Sequence, residues 1–141
     1  MSKEHHEDAC GEKPPALLVE GIGEFNRGLF FEQHETLEEL WRAERRPVRD
    51  LYRGILQVGV AFLHIRRLNY HGATYMLARA PIYLRRFGSV CQSVDVAGLI
   101  EDAERALEAV RALGPERLHE FDWALAPQVK LVGQNQSRTE R

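Results

Sequence analysis

Apolar residues recur along this chain at spacings of three and four, the period of an amphipathic helix. Leu17, Leu18, Ile22, Phe25 and Leu29 predict a first helix from Ala16 to Gly28, with Gly28 as its stop. Leu37, Leu40 and Trp41 predict a second from about Phe31 to Arg45, closed by Pro47, whose other face carries His34, Glu35, Glu38 and Glu39. The third, about Val48 to Leu68, differs in kind: from Gly54 to Leu63 every residue except Gln57 is apolar or Gly. A helix apolar all round is a buried one. Gly54 and Gly59 each cost about 1 kcal/mol against Ala in a helix interior, so they predict close approach by a neighbouring helix.

Asn69 is placed to cap a fourth helix carrying Ala73, Met76, Leu77, Ala80 and Leu84, with Pro81 expected to kink or restart it near residue 80. Ser93 or Asp95 caps a fifth, which carries Val96, Leu99, Ile100, Ala103, Leu107, Val110 and Leu113 and stops at Gly114-Pro115. Leu118, Phe121 and Trp123 then fold back as a short helical turn and an extended piece. No segment reads as a strand. The expected fold class is therefore all-α, a bundle of about five helices in antiparallel hairpins with the third helix central and the fifth laid across the others. A shift of 39 residues sets Phe31, His34 and Leu37 over Tyr70, Ala73 and Met76, a weak echo that fits a shared hairpin shape.

At 141 residues and 44% apolar, the chain is long enough for one real core. The expected organisation is a disordered acidic tail over 1–13, a single helical domain over 14–132 and a polar tail over 133–141. Cys10 and Cys91 are too few and too far apart for a disulfide scaffold or a Cys-rich zinc site, so Cys91 reads as a small apolar filler and the cytoplasm as the expected compartment. No apolar run approaches the roughly 20 residues that span a bilayer, so no membrane partner is expected.

The chemistry concentrates in two helices. Residues four apart share a helix face, so His34 projects with Glu38 and Glu35 with Glu39, while Arg53, Gln57 and His64 form one stripe on the third helix. An antiparallel hairpin through Pro47 would bring these sets together in a mostly apolar interior, where an unpartnered polar group costs of order 2 kcal/mol. Three readings are open. The groups could satisfy one another and lock helix register. His34, Glu38 and His64 could ligate zinc, iron or manganese. Or His34, held by Glu38 in one tautomer, could act as an acid or base, as in a hydrolase. Position 38 is Glu where the zinc-protease motif needs a second His, and Glu116-x-x-His119 is the one Glu-x-x-His instance, short of the paired motifs of di-iron bundles. His71 and His119 stand alone, in exposed or capping positions.

Three ordered blocks also carry a family resemblance: Phe30-x-x-x-His34-Glu35-x-Leu37-Glu38-x-x-Trp41-Arg42, then Gly54-Ile55-Leu56-Gln57-x-x-x-Ala61-x-x-His64, then Asn69-x-x-Gly72-Ala73. Over about residues 20–87 the chain resembles the small helical family catalogued as domain of unknown function 309. The resemblance implies an all-helical prokaryotic protein with recurrent polar positions at His34, Glu38, Trp41, Arg42, Gln57, His64 and Asn69, and supplies no activity. It says nothing about the fifth helix.

Net charge is −2, yet residues 42–86 carry ten Lys/Arg against two Asp/Glu, and Arg makes up 16 of the 19 basic residues. Arg42, Arg45, Arg46, Arg49 and Arg53 would cluster around the corner at Pro47. Such a corner binds phosphate or an acidic partner, or is neutralised by Glu32, Glu35 and Glu39 or by a second copy of the chain. Of the aromatics, only Tyr52 interleaves with these Arg in the sequence, so nucleic acid is not an expected partner. Two function classes remain. A binding or interaction module for a protein or small molecule would present a groove away from His34, whereas a small-molecule enzyme would present a pocket opening onto it.

Overall fold

The computed structural model describes residues 9–133; His5, His6 and the chain from residue 134 lie outside the described residues. Five long helices run through the described residues: α1 (Ala16–Asn26), α2 (Phe30–Ala43), α3 (Arg49–Arg66), α4 (Tyr70–Leu84) and α5 (Val96–Leu113). Single 3₁₀ turns follow at Arg85–Phe87, Leu118–Glu120 and Trp123–Leu125.

Local chemistry explains the boundaries. Gly28, at φ 77°, adopts the left-handed conformation that ends α1, and Leu29 N–H then donates back to the Glu24 carbonyl. The Asn69 side chain accepts from Gly72 N–H at 2.9 Å and the Asp95 side chain from Gly98 N–H at 3.0 Å, capping α4 and α5. Gly114, at φ 73°, closes α5. Pro81 neither stops nor restarts α4, which continues through it to Leu84.

The first four helices form successive antiparallel hairpins. Phe25 meets Phe30 edge-on at 5.6 Å while Gly21 lies against Leu37, so α1 and α2 run in opposite senses. Phe30 packs 5.8 Å from Phe62 and Trp41 lies under Arg49, which sets α2 antiparallel to α3. Gly54 touches Leu84 and Gly72 touches His64, which does the same for α3 and α4. The two α3 glycines mark the close approaches expected of them. A Cβ at Gly54 would come within 2.6 Å of Leu84, and one at Gly59 would fall inside the Gln33 amide. Leu18, Leu37, Leu51, Ile55, Phe62, Leu77 and Leu84 are fully buried, each worth roughly 1.5–3 kcal/mol of transfer free energy.

The stretch from Gly54 to Leu63 is nevertheless not sealed. Leu56, Val60 and Leu63 are only half-buried. On the face carrying Leu56 and Val60, α3 borders an open cleft.

The far end of the bundle departs most from expectation. Val90–Cys91 and Val94–Asp95 form a two-residue-per-strand antiparallel hairpin, β1 and β2, where no strand was read. Strands this short cannot display a period of two. Cys10 and Cys91 are joined in a disulfide, so Cys91 is no apolar filler, and the compartment argument that treated both cysteines as thiols loses its support. Residues 9–13 are likewise described rather than trailing: Ala9 is buried, and Glu12 pairs with Arg46 at 2.7 Å. At the tip of the hairpin Gln92 and Ser93 sit at φ 48° and 70°. Buried Gln92 accepts from the Tyr52 hydroxyl at 2.8 Å and donates to the Ala9 carbonyl at 3.1 Å, while its backbone N–H donates to the Cys10 carbonyl. These bonds hold a left-handed backbone that a non-glycine residue otherwise resists. The clasp also receives the chain's later part, because Asp95 N–H donates to the Lys130 carbonyl and Val132 N–H to the Ser93 carbonyl.

Candidate functional site

Between α2, α3 and α4 lies a cleft of about 290 Å³ lined by His34, Glu38, Trp41, Arg53, Leu56, Gln57, Val60 and Met76. The hairpin turn at Pro47 makes it: α2 supplies His34, Glu38 and Trp41, one per turn, and α3 faces them with Arg53, Gln57 and the apolar pair Leu56 and Val60. Met76 of α4 contributes to the same lining.

Within this cleft His34 Nε2 stands 3.7 Å from Glu38 Oε1, too long for a hydrogen bond and close enough for an ion pair when the ring is protonated. The other Glu38 oxygen accepts from Arg42 at 2.9 Å, four residues along α2, which turns Arg42 away from the cleft lining. Arg53 makes neither a hydrogen bond nor an ion pair among the described residues. Its guanidinium lies within cation–π range of two rings instead, 5.3 Å from the Trp41 centroid and 5.1 Å from the Tyr83 centroid. Arg49 also lies over the Trp41 ring at 4.2 Å and donates to its backbone carbonyl. The Gln57 amide is 7% exposed and hydrogen-bonds to nothing among the described residues, its Oε1 being a buried acceptor without a donor. Trp41 Nε1 is a buried donor in the same condition.

Six of the eight residues singled out from the sequence are thus near one another: His34, Glu38, Trp41, Arg53 and Gln57 line the cleft, and Arg42 braces Glu38. His64 and Asn69 are elsewhere. His64 Nδ1 lies 3.2 Å from Asn69 Nδ2 at the start of α4, and because Asn69 Oδ1 already accepts from Gly72, the Asn69 amide donates to an unprotonated Nδ1. Burial, reinforced by Arg67, holds the His64 ring below the usual imidazole range. The expected metal-ligand trio of His34, Glu38 and His64 is therefore split, with His64 outside the cleft lining. Among the described residues no group of three or more His, Cys, Asp or Glu is placed to hold a metal ion.

The group that locks the register of α2 and α3 is Gln33, which the reading of the cluster passed over. It is wholly buried and donates from Nε2 to the Leu56 carbonyl at 3.2 Å, seated against Gly59; its Oε1, like that of Gln57, has no donor among the described residues, but Gln33 does not line the cleft. The signal was present: Phe30, Gln33, Leu37 and Leu40 fall at spacings of three and four, so Gln33 sits on the buried face.

The Arg partners also differ from expectation. Arg42 pairs with Glu38, Arg46 with Glu12 and Glu44, Arg85 with Glu104 and Arg86 with Asp50, whereas Glu32, Glu35 and Glu39 make no ion pair among the described residues. Tyr52 is buried at the clasp, and the rings that meet Arg include Trp41, Tyr83 and Tyr75, the last covered by Arg79 at 5.2 Å, and Phe30 and Trp123, both within reach of Arg66.

The fold and site define a helical-hairpin bundle with a mostly apolar cleft, carrying a few polar groups, between its second, third and fourth helices. Residues 18–76 match the model of the family described as a domain of unknown function, DUF309, the one whose motif blocks the chain resembles. The match covers under half of the chain and spans every cleft residue from His34 to Met76. No curated protein matches the sequence. No helix among the described residues is long and apolar enough to cross a membrane.

Proposed function

We propose that the cleft is a binding site for a small molecule, and that His34, steadied by Glu38, exchanges a proton with what binds there. The observation that carries this reading is the unpartnered Gln57 amide in the cleft lining. A buried amide without a partner costs about 1–3 kcal/mol, and a ligand that bonds to it removes that cost. The setting supports the same reading. Apolar surfaces from Leu56, Val60 and Met76 with a few convergent polar groups are the usual make-up of a ligand pocket, and 290 Å³ sits at the small end of the roughly 300–1,000 Å³ such sites span. Of the two function classes, the concavity opening onto His34 favours a small-molecule site over a protein-docking groove. A 3.7 Å spacing between imidazole and carboxylate is compatible with a pair that tightens on binding. For a divalent metal, His34 and Glu38 offer two donors, and the ligand itself would have to complete the site.

The test is an NMR titration of the isotope-labelled protein with a mixed set of neutral and charged fragments, with and without zinc. Shifts should gather on the Trp41 indole N–H, the Gln57 side-chain amide and the His34 ring. Val60→Trp, which fills the cleft without removing any of its polar groups, should abolish them. Shifts that gather elsewhere, or that survive Val60→Trp, would overturn the assignment.

A further inference from the structure

We infer that the ligand of the cleft is a small organic monocarboxylate with an apolar body, its carboxylate held by Arg53. The inference rests on the cleft being a small-molecule site. Arg53 is the one permanent cation among the lining residues, and of the partly buried Arg residues it alone has no acceptor among the described residues; Arg27, Arg45, Arg67 and Arg111, which have none either, are exposed. Arg42, Arg46, Arg85 and Arg86 are each answered by a carboxylate, Arg49 by the Trp41 carbonyl, Arg66 by the Gly28 carbonyl and Arg79 by the Tyr83 hydroxyl. Two rings within cation–π range of Arg53 restrain its guanidinium by attraction to the ring faces and accept from none of its N–H donors. A half-buried guanidinium fixed in this way is a ready fork for a planar two-oxygen acceptor.

Charge and shape narrow the class. The lining carries one permanent positive group, Arg53, and one carboxylate, Glu38. A monoanion gains Arg53 at modest repulsion, whereas a dianion such as a phosphate monoester would meet Glu38 with twice the charge. One turn along α3 from Arg53, Gln57 presents the unpartnered amide, and Leu56, Val60 and Met76 supply apolar surface for a short hydrocarbon body. A carboxylate on Arg53, a chain along the apolar surface and a polar group reaching Gln57 would satisfy each of these residues at once.

The chain has two tryptophans, so Trp123→Phe leaves Trp41, which lines the cleft, as the sole fluorescent reporter. In that background hexanoate, hexanamide and hexyl phosphate share a body and differ in the head. Hexanoate should perturb Trp41 emission saturably, with hexanamide and hexyl phosphate each about tenfold weaker or more. Arg53→Gln should weaken hexanoate by about the same factor and leave hexanamide unchanged, and Arg53→Lys, which keeps the charge and loses the fork, should fall between. Circular dichroism of both variants checks that the helices are intact. Equal binding of hexanoate and hexanamide, or tighter binding of hexyl phosphate, would overturn the monocarboxylate inference and leave the cleft standing as a ligand site. No response to any of the three, in a protein whose cleft also fails the fragment titration, would sink both.

Discussion

Gln57 and Gln92 are buried in the same protein to nearly the same degree, at 7% and 0% exposed, and are treated in opposite ways. Gln92 uses its carbonyl for Tyr52, its amino group for Ala9 and its backbone N–H for Cys10, and through them ties the start of the described chain, α3 and the β-hairpin into one clasp. Gln57 uses none of its bonding capacity within the described residues and lines a cavity. The contrast separates two purposes for a polar group in an apolar interior. Where every donor and acceptor is matched, the group specifies a structure, here a hairpin tip with two left-handed residues. Where the matching is left open beside a concavity, the fold carries a cost with no structural return, and the return is to be sought in a ligand.

Perturbing the two sites should therefore give opposite results, and the largest effects belong to the clasp. Replacing Cys10 and Cys91 together by Ser frees a link across a sequence separation of 81 residues, which the chain-entropy model values at about 4 kcal/mol. Gln92→Ala strands the Tyr52 hydroxyl and the Ala9 carbonyl and should cost about 3 kcal/mol in urea denaturation. A cost below about 1 kcal/mol would mean that the clasp does not depend on this network. Gln57→Leu should behave conversely, with stability unchanged or raised by up to about 1 kcal/mol because an unpartnered amide is removed, while ligand binding in the cleft is lost. A loss of about 2 kcal/mol or more would instead make Gln57 a structural group and erase the distinction.

The pH dependence sharpens the same comparison more gently. Burial pushes the Tyr52 phenol from its ordinary 10 up to about 12. The fold thus favours the neutral phenol, and the stability it contributes is present in full below pH 10 and lost as pH rises toward 12. His64 is shifted in the sense that also favours its neutral form. Its contribution is present above 6.5 and is lost as pH falls through that value toward the lower one of the folded protein, where protonation of Nδ1 breaks the bond from Asn69. Thermal melts across pH 5 to 12 should show both shoulders. Tyr52→Phe should remove only the alkaline one and His64→Gln only the acid one; a shoulder that persists in its own variant belongs to another group. The smallest effect expected is with nucleic acid. A labelled oligonucleotide at moderate salt should show no appreciable binding, since most paired Arg residues face protein carboxylates and those at the cleft are stacked on protein rings. Tight binding with a steep salt slope would show that the Arg and aromatic face around Trp41, Tyr83 and Tyr75 is an open platform.

Much of this architecture was legible in the chain because helices are encoded locally. The three- and four-residue period, the stops at Gly28 and Gly114, the caps at Asn69 and Asp95 and the close approaches at Gly54 and Gly59 depend on neighbours within a turn or two, or on a backbone freedom that glycine alone supplies. The meeting of His34 and Glu38 with Arg53 and Gln57 followed from the same period once a hairpin joined α2 to α3, whereas Trp41, which that period assigns to the apolar face, reaches the cleft only in the packed fold. What the tertiary structure decided is what joins distant residues. The pairing of Cys10 with Cys91 depends on where two chain segments end up after five helices have packed, and no local pattern records it. Whether a buried polar residue is matched or left open is likewise a property of three-dimensional neighbours. Gln33, Gln57 and Gln92 are the same residue type within helical or turn sequence, and only the packing around each makes one a register lock, one an open hand toward a cleft and one the centre of a clasp. His64 shows the limit from the other side: helical spacing assigns it to the stripe of Arg53 and Gln57, but seven residues of helical rise, about 10 Å, separate it from Gln57, and it lies outside the cleft lining at the cap of α4.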